Sequence, residues 1–184
     1  MIDLVKLGVT MTIRGIEHIG ITVNDIKKAE DFFLGALNAT VLYRLAPQND
    51  SDKVIEGDDM QPLNGFPAEM KVTGLSMLRL ANGCNIELFQ IFPTTDDHQA
   101  NPANSGINHF SLYVDDINLA GEKMREHGAK MFQGPSDCFA QEKGEGNQTW
   151  FGMTPFGVLI ELISLPSGLH YDEGATASRW IPAS

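Results

Sequence analysis

Two histidines and two glutamates stand at matching places in two copies of one sequence pattern. His18 lies in GIEHIGITVNDI (15–26) and His109 in GINHFSLYVDDI (106–117), 91 positions further on. Glu87 and Glu161 each fall four residues after a glycine, Gly83 in GCNIELFQI and Gly157 in GVLIELIS. Glu161 has only apolar neighbours in VLIELI, where a lone carboxylate would pay a desolvation cost or keep its proton. Taken singly, each of the four is an ordinary strand residue. Two His–Glu pairs at matching positions need a common explanation, and a divalent cation supplies it. Two imidazoles and two carboxylates make a mixed nitrogen and oxygen shell that suits Zn, Ni, Co, Mn or Fe(II). His18, Glu87, His109 and Glu161 are therefore the predicted ligands of one divalent metal ion. An octahedral ion held by four protein ligands keeps two positions for water or substrate.

The elements that must position these residues repeat as well. In EHIGITV, Ile19, Ile21 and Val23 point one way and His18, Gly20 and Thr22 the other; in NHFSLYV, Phe110, Leu112 and Val114 oppose His109, Ser111 and Tyr113. Asp25 and Asp116 are predicted N-caps for helices over IKKAEDFFLGAL and INLAGEKMREHG, which end near Asn38 and Gly128. The strands ATVLYR and AKMFQG follow. Each copy closes with a hairpin, turning at Asn82-Gly83 in the first and around Pro155-Phe156-Gly157 in the second. The pattern predicts two βαβββ modules, at 15–92 and 106–165. An N-terminal extension (1–14), a polar linker (93–105) and a C-terminal tail (166–184) surround them. The stretch 45–74 is a long insertion in the first module, and its Leu, Phe and Met content predicts partial order.

Composition narrows the partners. A formal charge of -11 opposes binding to a phosphate backbone, so nucleic acid is excluded. No apolar run is long enough to span a bilayer, and the first residues lack a secretory signal pattern. Cys84 and Cys138 lie in unlike contexts and read as free thiols of a cytoplasmic protein. His98, His127 and His170 read as surface residues. Phe89, Tyr113, Trp150 and Phe151 are the candidate pocket residues, and whichever of Trp150 and Phe151 faces inward is expected to line it.

The motif H-x-G/S-x-x-V-x-D-I in each half, with its Gly-x-x-x-Glu strands, resembles the vicinal oxygen chelate superfamily, which includes glyoxalase I, extradiol dioxygenases and bleomycin-binding proteins. The resemblance covers residues 15–164. It implies an α+β fold in which two modules form an eight-stranded, curved, partly open barrel with the helices outside. It also implies a homodimer and a small-molecule substrate with two adjacent oxygens. Similarity to glyoxalase I implies a metal-dependent lyase or isomerase moving a proton next to a carbonyl, with Glu161 as the base and Glu87 as its symmetric counterpart. The four ligands meet either within one chain or across the dimer.

Relatives that use glutathione place an arginine four residues after the first histidine and an asparagine four after the first glutamate. Thr22 and Ile91 stand there in this chain. Coenzyme A thioesters, 2-oxo acids and small diketones are the expected substrate classes instead. A second reading is an extradiol-type Fe(II) dioxygenase, for which Glu87 would be one ligand too many. A third is a non-catalytic drug-binding protein, a class that typically lacks the ligand set. Metal content distinguishes the three.

Overall fold

The computed structural model describes residues 15–45, 54–93, 103 and 105–182. The N-terminal extension, His98 with most of the linker, and residues 46–53 lie outside the described residues. Among the described residues, ten strands form two five-stranded sheets. The first contains β1 (His18–Val23), β2 (Thr40–Leu45), β3 (Ile55–Glu56), β4 (Lys71–Arg79) and β5 (Asn85–Phe92). Its order is β1-β5-β4-β2, with β3 also paired to β4. The second contains β6 (Phe110–Tyr113), β7 (Lys130–Met131), β8 (Ser136–Asp137), β9 (Gln148–Met153) and β10 (Leu159–Ser164). Its order, β6-β10-β9-β7 with β8 on β9, is the same topology strand for strand.

Each module begins with a strand that feeds a helix and ends as the parallel neighbour of that first strand. The helices are α1 (Ile26–Leu37) and α3 (Ile117–Glu126), with α2 (Gly57–Asn64) inside the long insertion of the first module. Asp25 accepts a hydrogen bond from the Lys28 amide and Asp116 one from the Leu119 amide, so both predicted N-caps are made. Asn38 takes a left-handed conformation at φ 53 and closes α1. Gly128, at φ 92, does the same after α3. The insertion is ordered where it is described: α2 packs on β3, and β3 pairs with β4. The short strands β3 and β8 lie in segments without an alternating apolar run, whereas the equally short β7 lies in AKMFQG, which matches ATVLYR of the first copy. Eight strands are therefore legible in the sequence and ten form among the described residues.

One core serves both modules. Ile21, Val23, Ile86 and Leu88 of the first sheet join Ile160 and Leu162 of the second, with Phe32 and Phe33 of α1 and Met124 of α3 between them. The helices α1 and α3 pack against each other, and Phe156 from the second hairpin lies edge-on to Phe32 at 5.5 Å. The sheets therefore do not close into a barrel within the described chain. They are joined through their helix-bearing faces, and their opposite faces stay open. Buried Glu30 on α1 is satisfied by a forked ion pair from Arg44 and a hydrogen bond from the Ser76 hydroxyl. The tail is tied down by buried Asn147, whose amide donates to the Glu142 and Gly168 carbonyls and accepts from the Ser167 amide. No helix among the described residues is long and apolar enough to cross a membrane.

Candidate metal centre

Alternation decides which face each ligand takes. Ile19, Ile21 and Val23 turn to the shared core, so His18, Gly20 and Thr22 are presented on the open face of the first sheet. On β5, Ile86 and Leu88 enter the core and Asn85, Glu87 and Phe89 take the other side. Parallel pairing sets His18 beside Asn85 and Gly20 beside Glu87, which leaves the His18 and Glu87 side chains diagonal neighbours. The second sheet repeats this register, with Phe110 beside Ile160 and Ser111 beside Glu161. His109, one residue before Phe110, is thus diagonal to Glu161.

The result is two near-identical pairs. His18 Nε2 is 3.5 Å from Glu87 Oε2, and His109 Nε2 is 3.4 Å from Glu161 Oε2. The other ring nitrogen is held from behind in both. His18 Nδ1 donates to Glu17 Oε2 at 2.5 Å, and His109 Nδ1 donates to Asn108 Oδ1 at 2.9 Å. Carboxylate and amide oxygens only accept, so Nδ1 carries the proton in each ring. A neutral ring then turns the lone pair of Nε2 toward a carboxylate. Two acceptors face each other, an arrangement that needs a cation or a second proton between them. Two donors each about 2.0–2.2 Å from a shared ion lie roughly 3–3.5 Å apart, which the observed spacing matches. The donor types and their orientation fit a divalent metal.

Electrostatics agree on the first pair. The Glu17 hydrogen bond, with the nearby charge of Glu87, raises the His18 pKa above the ordinary histidine value. The same hydrogen bond, with one from Asn85 Nδ2 at 2.6 Å, lowers the Glu17 pKa. A proton therefore takes the bridging role at His18 readily when no metal competes for it.

The structure brings the four predicted ligands together two by two. Among the described residues of one chain, no group of three or more His, Cys, Asp or Glu side chains converges. Of the expected pocket residues, Phe151 lies directly opposite Glu161 across β9 and β10 and meets the His109 ring edge-on at 5.2 Å. Phe89 is half-buried on the Glu87 face and packs on Val72 and Leu75. Tyr113 packs with Ile163, Cys138 and Leu165. Trp150 is a correction. It alternates to the opposite face of β9, is buried in the shared core and donates Nε1 to the Phe132 carbonyl. Both cysteines are free thiols, and burial raises the pKa of Cys138, keeping it protonated.

Three residues of the site were not singled out from the sequence. Glu17 and Asn108 precede the two histidines directly, and their matching places in the two copies were the available signal. Thr149, whose hydroxyl donates to Glu161 Oε1 at 2.6 Å, lies twelve residues away on β9 and needs the antiparallel register to be found.

Comparison with known proteins agrees with this fold. The model of the Glyoxalase/Bleomycin resistance protein/Dioxygenase superfamily matches residues 17–145. A protein named 2-epi-5-epi-valiolone epimerase from Actinomyces sp. is 28% identical over 180 residues, covering 94% of either chain. Among solved structures, a glyoxalase family protein from Bacillus cereus superposes with a TM-score of 0.64 at 18% identity, over 84% of this chain and 98% of its own. Glyoxalase I from Zea mays gives 0.55 at 16% identity, over 80% of this chain and 43% of its own. The chain belongs to the glyoxalase/bleomycin resistance protein/dioxygenase superfamily.

Proposed function

We propose that this chain is a metal-dependent isomerase that inverts the configuration of a carbon next to the carbonyl of a small hydroxylated ketone. The observation that carries the reading is the pair of His–Glu couples at 3.5 and 3.4 Å, each ring nitrogen aimed at a carboxylate and pinned from behind. The likeness to a valiolone epimerase supports the substrate class and the reaction type.

A divalent ion bound at these residues would supply Lewis acidity toward two adjacent substrate oxygens. His18 and His109 would hold it through Nε2, with Glu17 and Asn108 fixing the ring orientations. Glu87 and Glu161 would hold it through Oε2, and one carboxylate would accept the proton from the carbon beside the carbonyl. The electron pair of the broken C–H bond moves onto the carbonyl oxygen as an enolate. Return of a proton to the opposite face of that carbon gives the epimer, with no change in oxidation state. Lyase chemistry in this family class would share the first of these steps.

Each chain carries two half-sites on open sheet faces. We infer a homodimer in which His18 and Glu87 of one copy face His109 and Glu161 of a second. Two-fold symmetry would then build two complete centres. Mixing His18→Ala chains with His109→Ala chains tests this directly. A centre shared between copies regains metal binding in the mixed dimer, because one of its two centres holds all four ligands. A centre within one chain regains none. The activity is tested with 2-epi-5-epi-valiolone in deuterated water: deuterium should enter next to the carbonyl only with metal-loaded protein, and no exchange would sink the isomerase reading.

A further inference from the structure

The two half-sites match in register but not in the hydrogen bonding of their carboxylates. Glu161 is held at both oxygens: Oε2 faces His109 Nε2 at 3.4 Å and Oε1 accepts from the Thr149 hydroxyl at 2.6 Å. Thr149 stands opposite Ile163, two residues beyond Glu161, so it reaches the carboxylate diagonally from the neighbouring strand. The corresponding position in the first sheet stands opposite Phe89, two residues beyond Glu87, and is Leu75. A leucine has no hydrogen to donate. Among the described residues, Glu87 has His18 at 3.5 Å as its partner and no hydroxyl on Oε1. Phe151 reinforces the difference, since it packs against the His109 ring beside Glu161, whereas Glu87 is opposite Met77.

We propose that Thr149 makes the two carboxylates unequal: it holds Glu161 as a fixed ligand and leaves Glu87 as the carboxylate that turns to the substrate and takes its proton. This rests on the metal-assisted proton transfer proposed above, and it reverses the role that likeness to glyoxalase I assigns to Glu161. A base must rotate away from its resting contacts to reach a C–H bond. For Glu161 that rotation breaks the Thr149 hydrogen bond and leaves a half-buried hydroxyl unpaired. Glu87 rotates without that loss. The proton then passes from the substrate carbon to Glu87, the C–H electron pair goes to the carbonyl oxygen, and Glu87 later releases the proton to solvent. The opposite face of the carbon is reprotonated from solvent, which balances the cycle. Thr149 acts through Glu161 and is a positioning residue.

The test uses the full chain and two probes, Co(II) alone and 2-epi-5-epi-valiolone in deuterated water. Thr149→Val should weaken Co(II) binding by about 10–100-fold and alter the visible spectrum of the bound ion, and Thr149→Ser should restore both. At saturating metal, Glu87→Gln should lose deuterium exchange by on the order of 10²–10⁴. Glu161→Gln should bind Co(II) more weakly than Glu87→Gln, yet keep more of the exchange once loaded. Wild-type Co(II) affinity and spectrum in Thr149→Val would overturn the proposal, and so would a larger exchange loss in Glu161→Gln than in Glu87→Gln. If wild-type protein binds no Co(II), the metal reading fails and this inference with it. If wild-type protein binds Co(II) but the ketone does not exchange, the substrate assignment alone fails, and the Thr149 variants decide the inference.

Discussion

Gly121 lies flat against Trp150: a β-carbon on this α3 residue would stand 2.3 Å from Trp150 Cζ3. Gly134 approaches the same ring from another side, where a β-carbon would stand 2.5 Å from Cδ1. The indole cannot step aside, because it is buried and its Nε1 donates to the Phe132 carbonyl at 2.8 Å. Gly121→Ala adds a methyl to a filled core, a change that costs about 1–3 kcal/mol. Better helix propensity returns up to about 1 kcal/mol. The expected outcome is a net loss of about 1–2 kcal/mol in denaturant unfolding. Metal affinity should stay unchanged, since the contact lies on the far side of the second sheet from His109 and Glu161.

Removing a proposed metal ligand should act on both metal content and stability. His109→Ala deletes one of the imidazoles whose Nε2 faces a carboxylate. Metal analysis of the purified variant should show a sharp fall. Wild-type protein with metal at one hundred times its Kd should gain about 2.7 kcal/mol over the chelated form. In His109→Ala most of that gain should vanish. Equal thermal shifts on chelation in the two proteins would count against the assignment.

Glutathione should not be the co-substrate. Thr22 is exposed on the His18 face, and Ile91 follows Glu87 on β5; neither carries the charge or the amide that a glutathione adduct would need there. The hemithioacetal of methylglyoxal and glutathione is expected to turn over slowly even with saturating metal. A robust metal-dependent rate on that substrate would show that recognition does not depend on these two positions.

The Glu17–His18 pair makes a pH prediction with a definite sign. The His18 pKa is raised, so the favourable contribution of its protonated form is complete below the ordinary histidine value and fades as pH rises through the folded-state value. The Glu17 pKa is lowered, so its contribution is complete above the ordinary glutamate value and fades as pH falls through its own folded-state value. In metal-free protein the pair is fully formed between those limits, and its exposure keeps its effect on global stability small. Proton NMR should place the His18 midpoint above that of an ordinary histidine, and Glu17→Gln should lower it. A metal bound at His18 as proposed would have to displace this proton, so loading near neutral pH should release acid into a weakly buffered solution.

Cys138 should be inert in the folded protein. It is 5% exposed, and burial holds its thiol above the usual pKa. Alkylation at neutral pH should label it only after denaturation, as mass spectrometry of the labelled peptides would show.

Much of the site was legible because a strand's side chains alternate and the chain states its pattern twice. Alternation alone sends Ile19, Ile21 and Val23 to the core and His18 to the opposite face, and the same count places Glu87 opposite Ile86 and Leu88. The N-caps at Asp25 and Asp116 are equally local, since each side-chain oxygen bonds an amide just three residues on. These features depend on near neighbours, so the sequence determined them. Tertiary structure decided what depends on which strands lie side by side and where the two sheets meet. Trp150 and Phe151 are adjacent in sequence, yet the pairing of β9 with β10 sent one into the core and the other to His109. The same pairing carried Thr149 to Glu161, a contact that no local spacing encodes, and the equivalent pairing of β4 with β5 put Leu75 in the matching place beside Glu87. The packing of α1 on α3 joined the sheets back to back rather than closing them into one barrel. That choice follows from the apolar helix faces of both modules, which bury more surface against each other than either could alone, and it leaves the two His–Glu pairs on separate open faces.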